Sequence, residues 1–155
     1  MAYYSAQHYL PHQSPMVMLD ILHDVGEAFA ECRVTLGEDG VLAPFLDAQG
    51  CLPNWFAVEL MAQTIGVWRG WHGLEQAIPP TIGMLLGGRA ISCDLPVFPA
   101  GSELHICVNL ILQDEKIGSF ECGISIAGKQ VARGRLNTYQ PDSEEIKKLT
   151  LGNGA

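Results

Sequence analysis

Apolar and polar positions alternate along most of this chain, and one stretch departs from that pattern. From Asn54 to Trp71 the residues Phe56, Leu60, Met61, Ile65 and Trp68 recur at helical spacing, which predicts one long helix with Asn54 as its N-cap. His72-Gly73 and then Pro79-Pro80 end it. Before the helix, Val17 to Val25 and Ala28 to Leu36 read as two strands joined by a turn at Gly26, followed by a loop to Pro53. After it, Ile82 to Cys93, Glu103 to Leu112, Gly118 to Ile126 and Val131 to Tyr139 read as strands. Turn signals at Pro96 to Gly101, Asp114 to Lys116 and Ala127 to Lys129 separate them. The order β-β-α-β-β-β-β predicts an α+β fold, an antiparallel sheet wrapped around one central helix. Residues 1–139 form a single expected domain, and 140–155 a polar tail expected to fray.

Pro53 to Gln63 is the most informative part of the helix, because its apolar run carries a carboxylate, Glu59. Burying an ionised carboxylate without a partner costs on the order of several kcal/mol, so the group should neutralise, find donors or perform chemistry. An apolar pocket is also a way to keep a carboxylic acid protonated near neutral pH. The plainer alternative is a structural carboxylate satisfied by backbone or Arg donors. Gln63 lies one turn later on the same face and reads as a loop anchor rather than a catalyst. Trp55, Trp68 and Trp71 read as core or dimer contacts before they read as tunnel walls.

Composition narrows the classes. A net charge of −8 argues against nucleic acid. There is no run of about 18 apolar residues, the length a membrane span needs. The N-terminal Met-Ala-Tyr-Tyr-Ser has neither the basic segment nor the apolar core of a secretory signal, so the chain is expected to be cytoplasmic. The five cysteines are scattered, with no C-x-x-C pair and no His at ligand spacing; no metal and no cofactor are expected. Gly87-Gly88 is followed by no Lys-Ser/Thr, so a phosphate loop gives way to a bulge or a close backbone approach.

Three segments bear a resemblance to a known family. Leu10-Pro11-His12-Gln13-Ser14-Pro15-Met16-Val17-Met18-Leu19-Asp20 resembles the L-P-H-R-x-P-F-L-L-V-D opening of beta-hydroxyacyl-ACP dehydratases, and Pro53 to Gln63 resembles their P-G-V-L-x-x-E-A-M-A-Q helix start. Leu95 to Leu104 is similar to their P-V-x-P-G-D-x-L strand lead-in, and the likeness spans residues 9–139. It points in particular to the small dehydratase-like partner subunits of aryl polyene biosynthesis. The resemblance implies a hot-dog fold and loss of water from a 3-hydroxyacyl thioester on acyl carrier protein or CoA. It implies further that a His takes the proton at C2, that Glu59 handles the leaving hydroxyl, and that backbone N–H groups of Asn54 and Trp55 hold the thioester carbonyl. Gln63 would support Glu59, and Phe45 and Phe56 would line the acyl tunnel.

The departure from the family pattern matters as much. The family's G-H-F-P-G histidine lies fourteen residues before the acid, which here is Phe45, and no His occurs between His23 and His72. Asn54 replaces the Gly after the motif proline. The chain thus has the acid without the base. In the family each dimeric site takes its His from one subunit and its acid from the other, so the expected state is a homodimer or a heterodimer with a complete hot-dog dehydratase that supplies the His.

Among the histidines of this chain, His12 in its Pro-bounded turn is read first as a structural residue and second as a displaced base. His8, His23 and His72 are expected to be solvated, and His105 to lie on a strand face. Arg69, Arg89, Arg133 and Arg135 are the central basic residues on which an acidic carrier could dock; failing them, the partner provides the docking face. Two other functions stay open: a thioesterase using Glu59 as base or nucleophile, and a non-catalytic scaffold that shapes the tunnel of a complete dehydratase.

Overall fold

Inward-facing apolar positions of four neighbouring strands meet in register and form one wall of the core. The computed structural model describes residues 3–11, 16–78 and 83–140. Its strands are β1 (Ile21–Val25), β2 (Phe29–Thr35), β3 (Leu52–Pro53), β4 (Met84–Cys93), β5 (Val97–Phe98), β6 (Glu103–Asp114), β7 (Ile117–Ile126) and β8 (Lys129–Tyr139); the helix α1 covers Ala57–Glu75. Six of the strands make an antiparallel sheet in the order β1-β2-β6-β7-β8-β4. Ala30, Cys32 and Val34 on β2 stand opposite Val108, Ile106 and Leu104 on β6. On the far side of β6, Ile106 and Val108 pair with Ile124 and Cys122 of β7. Phe120 and Ile124 then pair with Leu136 and Ala132 of β8. All of these are buried, while Glu31, Arg33, Glu103 and His105 alternate with them on the wetter face, the period-two pattern of a sheet with one face covered.

The helix covers that apolar face, burying Leu60, Met61, Thr64, Ile65, Val67 and Trp68. It begins later than its apolar spacing suggests. Asn54–Phe56 is a single 3-10 turn and α1 proper starts at Ala57. Asn54 does not cap it: its side-chain Nδ2 donates instead to the Leu95 carbonyl at 3.0 Å, tying the helix start to the loop before β5. Two glycines in α1 admit the end of the N-terminal 3-10 turn Ala6–Tyr9 and the residue after it. A Cβ on Gly66 would meet Leu10 Cδ2 at 2.9 Å, and one on Gly70 would collide with the Tyr9 carbonyl oxygen.

Several boundaries shift for identifiable reasons. Val17, Met18 and Leu19 are buried but precede the strand ladder, which starts at Ile21. The loop before Pro53 contains a 3-10 turn at Ala43–Phe45, and Leu52–Pro53 pairs with Val97–Phe98 inside what reads as a turn. Ladders of two residues are too short to leave a periodic signal. Gly87 sits at a register shift of β4 against β8, and a second shift lies between Arg89 and Ser92, where Ala90 has φ +55. That is the bulge its Gly-Gly pair suggests.

β4 bonds to β8 on one side only, at the sheet edge. Met84, Leu85, Leu86 and Ile91 are exposed along it. A long apolar edge strand of this kind pairs readily with another chain. No described helix is long and apolar enough to cross a membrane.

Candidate active site

The first turn of α1 carries Glu59, where a carboxylate is favoured by the helix dipole. Every third or fourth residue after it shares its stripe, so Glu59, Ala62, Gly66 and Arg69 lie along the side of the helix turned away from the buried face. That stripe is half-exposed, and with Leu10, Gln63, Met84, Leu85 and Thr138 it lines a cavity of about 210 Å³. The full burial expected for Glu59 does not hold in the single chain. Its neighbours are apolar along the helix, but its carboxylate faces the open cavity.

Gln63 fixes Glu59 in place. Its Nε2 donates to Glu59 Oε1 at 3.1 Å and to the Met16 carbonyl at 2.7 Å, while its Oε1 accepts from the Met18 N–H at 2.9 Å. Gln63 is 2% exposed, and both its N–H donors and its amide oxygen are engaged, so it orients the carboxylate and anchors the segment before β1 together. Neither role needs it to react.

At the helix start, the Asn54 N–H already donates to the Pro96 carbonyl at 3.3 Å, which leaves Trp55 with the more accessible backbone donor of the pair. Trp55 is 72% exposed. Phe45 and Phe56 are half-buried with ring centroids 5.4 Å apart and pack on the core; neither lines the Glu59 cavity in the single chain. Trp68 is core, edge-on to Phe120.

No described histidine lines the cavity. His8 is exposed and lies against Tyr4. His23 is exposed, 3.8 Å from Glu31. His105 bonds Glu103 at 2.6 Å on the outer face. His72 is not solvated as its context suggests: it is half-buried between Trp68 and Trp71, and its Nε2 lies 2.9 Å from the Gly26 carbonyl, tying the helix end to the β1–β2 turn. His12 lies outside the described residues, as does 141–155 of the expected tail. Among the described residues no cluster of His, Cys, Asp or Glu could hold a metal ion.

The site also holds Arg69 and Thr138, which sequence reasoning did not place with Glu59. The signal for Arg69 is its place on the Glu59–Ala62–Gly66 stripe; Thr138 arrives from the last strand and has no local signature.

An antiparallel sheet curled over one central helix, with a carboxylate on the helix face it leaves open, defines a hot-dog protein. The chain belongs to the ApeP-like family of dehydratases, whose description, ApeP dehydratase, matches residues 4–150. It is similar to a chain of the dehydratase heterocomplex ApeI:P from Xenorhabdus doucetiae, with 52% identity and a TM-score of 0.89 over 96% of this chain and 98% of that one. More distant structures share the fold. The conserved protein PA5202 from Pseudomonas aeruginosa matches at 19% identity and TM-score 0.64, over 87% and 98% of the two chains. The PaaI protein from the phenylacetic acid degradation operon of E. coli matches at 17% and 0.55, over 77% and 81%. No curated protein matches the chain.

Proposed function

We propose that this chain is the acid-bearing subunit of a composite (3R)-hydroxyacyl-ACP dehydratase of the aryl polyene or fatty-acid type, with a hot-dog partner supplying the histidine. One observation carries the reading: Glu59 is held by Gln63 in a cavity bordered by the exposed edge strand β4, and no described histidine reaches it. An acid with its orienting partner, and with no histidine of the described residues beside it, fits half of a dehydratase site. Membership of the ApeP-like family and likeness to a dehydratase heterocomplex support the pairing.

In this mechanism the thioester carbonyl lies at the start of α1, where the Trp55 N–H and the helix dipole stabilise negative charge on its oxygen. Asn54 joins as a second donor when its N–H leaves Pro96. The partner's base removes the C2 proton, and the electron pair of that bond forms the C2=C3 double bond. Glu59, protonated, gives its proton to the C3 hydroxyl as the C–O bond breaks, so the products are water and the unsaturated thioester. The base has gained a proton and Glu59 has lost one; return of that proton to Glu59 resets the pair.

Docking of an acidic carrier falls to the partner in this reading. Of the four central arginines, Arg133 is paired with Asp94, Arg135 with Glu121 and Arg69 lines the cavity, which leaves the exposed Arg89 of β4 as this chain's own candidate contact for an acidic protein.

The test is loss of water from a 3-hydroxyacyl-ACP, followed by mass, with the chain alone and with its co-purified partner, each carrying Glu59 or Glu59→Gln. Turnover in the pair only, reduced about 10²- to 10⁴-fold by Glu59→Gln, is the expected result. Full turnover by the chain alone overturns the shared site. An active pair indifferent to Glu59→Gln makes the chain a scaffold, and release of free thiol by the chain alone makes it a thioesterase.

A further inference from the structure

The outer face of the sheet carries charged side chains over most of its length, among them Arg33, Glu103, His105, Glu121 and Arg135. That pattern breaks at one end. β6 sends Leu104, Ile106 and Val108 inward at alternate positions, with the half-buried Leu110 next in the series. A register shift then falls between Leu110 and Leu112. The extra residue, Ile111, turns Leu112 outward, opposite Ser119 of β7. Ile117, two residues before Ser119, shares that face and stands opposite Tyr139 of β8; Tyr139 in turn stands opposite Met84 of β4. Leu112, Ile117 and Met84 are 63%, 45% and 38% exposed. An apolar row thus crosses the outer face from β6 to β4, beside the β6–β7 turn.

The row lies where the chain leaves the sheet. The Gln140 N–H donates to the Lys116 carbonyl at 2.9 Å, and the next residue, Pro141, has no N–H with which to extend the pairing. Residues 141–150 therefore set out from the row itself. They are polar overall, but their order is specific: Asp142 is followed three residues on by Glu145, then by Lys147 and Lys148, with Ile146 and Leu149 three apart. That is the sequence pattern of a short amphipathic helix with a capping acid, an acidic start, a basic end and one apolar side. The match to the dehydratase family also runs on to residue 150, so this segment is part of what the family shares. Six residues separate Gln140 from Ile146, a reach of about 9 Å if helical and about 20 Å if extended. The row spans three strand spacings, about 14 Å, and is within that reach. Three aliphatic side chains bury no more than about 300 Å² between them, whereas a standard protein–protein interface takes about 800 Å² from each partner. The row suits a short tethered segment better than a subunit, and a tether supplies a high effective concentration.

We propose that residues 141–150 fold back over the outer face and seat Ile146 and Leu149 on Leu112 and Ile117. Leu85, Thr138 and Gln140 line the Glu59 cavity at the same strand ends, so the seated segment braces that wall from outside. The docking is independent of the acid role of Glu59.

Hydrogen exchange read by peptide mass tests it, on the full chain with any co-purifying subunit. In wild-type protein the amides of residues 144–150 are expected to exchange about 10-fold or more slowly than in an unstructured peptide. Leu112→Asp, at a position that is largely exposed, is expected to abolish that protection while the β7 and β8 amides keep theirs. If Leu112→Asp does not fold, Leu112→Thr, which keeps a good strand former, is expected to reduce the protection in the same direction. Leu149→Asp is expected to abolish it too. Free exchange of residues 144–150 in wild-type protein overturns the proposal. Protection that survives the Leu112 variants overturns it as well, since the segment is then seated elsewhere. Protection that vanishes on dilution also overturns it, because the segment then lies on a second copy of the chain.

Discussion

Gln63 couples Glu59 to the segment before β1 through a single side chain, bonding the carboxylate at 3.1 Å and clamping Met16 and Met18 at 2.7 and 2.9 Å. Both polarities of its amide are used, so no simple isostere serves. Gln63→Leu would orphan the buried Met18 N–H, at roughly 1–3 kcal/mol for an unsatisfied buried group, and release the carbonyl of the exposed Met16. For a chain of this size that is a fall in Tm of roughly 2–10 °C. Thermal melts check it, and dehydration by the variant pair should fall as well, since Glu59 loses its fixed donor. A variant that melts like wild type would show that the clamp contributes nothing.

How much of this was legible in the sequence depended on the range of the interactions. The helix and the main strands come from local periodicity, and the Pro53–Gln63 segment with its resemblance to dehydratases points to Glu59 before any geometry is known. The lack of a nearby histidine is equally visible, because it is a matter of counting. Less legible was the Asn54 side chain, which has the chemistry of an N-cap but is drawn to Leu95 O by the β3–β5 pairing, a contact across 41 residues. Nor could periodicity show that His72 is held against Gly26 O, 46 residues away, or that Arg69 shares a cavity with Thr138 of the last strand. These contacts are settled by topology, and no residue close in sequence announces them.

Exposed charge pairs here should matter little and only above the acidic range. Arg133 forks onto Asp94 at 2.8 and 3.2 Å, and this hydrogen bonding holds the Asp94 carboxyl below its ordinary value. A carboxyl depressed in the folded state stabilises the protein above its unfolded pKa, and that contribution is lost as pH falls through the lower folded value. Asp94→Asn should therefore lower Tm slightly at pH 7, and the gap should close between about pH 4 and the acidic end of the titration. A gap that widens on acidification would contradict the assignment. The pair lies at the surface, so the difference at neutral pH is expected to be small.

Thiol reactivity offers a test of the sheet's inner face. Cys32 and Cys122 point into the core, and burial pushes each thiol up to about 12. At pH 8 only about one in 10⁴ of such thiols is ionised, and the thiolate is the reactive form. Iodoacetamide on the native protein should leave both unmodified while the half-exposed Cys51 and Cys93 react, and all five cysteines should react in urea. Peptide mass mapping distinguishes them. Early labelling of Cys32 would mean that the β2–β6 wall opens readily.

Gly70 gives the sharpest mutational contrast, because two opposite expectations meet at one residue. In an ordinary helix interior, replacing Gly by Ala stabilises by about 1 kcal/mol through backbone entropy. At Gly70 the added Cβ would overlap the Tyr9 carbonyl oxygen and lie 2.8 and 3.1 Å from Tyr9 C and Cα, all backbone atoms of the docked N-terminal turn. Backbone cannot rotate aside as a side chain can, so either the turn or the helix must move. Overpacking of this kind costs about 1–3 kcal/mol, enough to outweigh the propensity gain. One turn earlier, Gly66→Ala meets only the Leu10 Cδ2 methyl, the movable end of a side chain. Gly66→Ala should accordingly hold or raise Tm, whereas Gly70→Ala should lower it by a few degrees and loosen the segment that Gln63 clamps beside Glu59. If both substitutions stabilise alike, the Ala6–Tyr9 turn is not seated on the helix, and the wall it lends to the Glu59 cavity through Leu10 is lost with it.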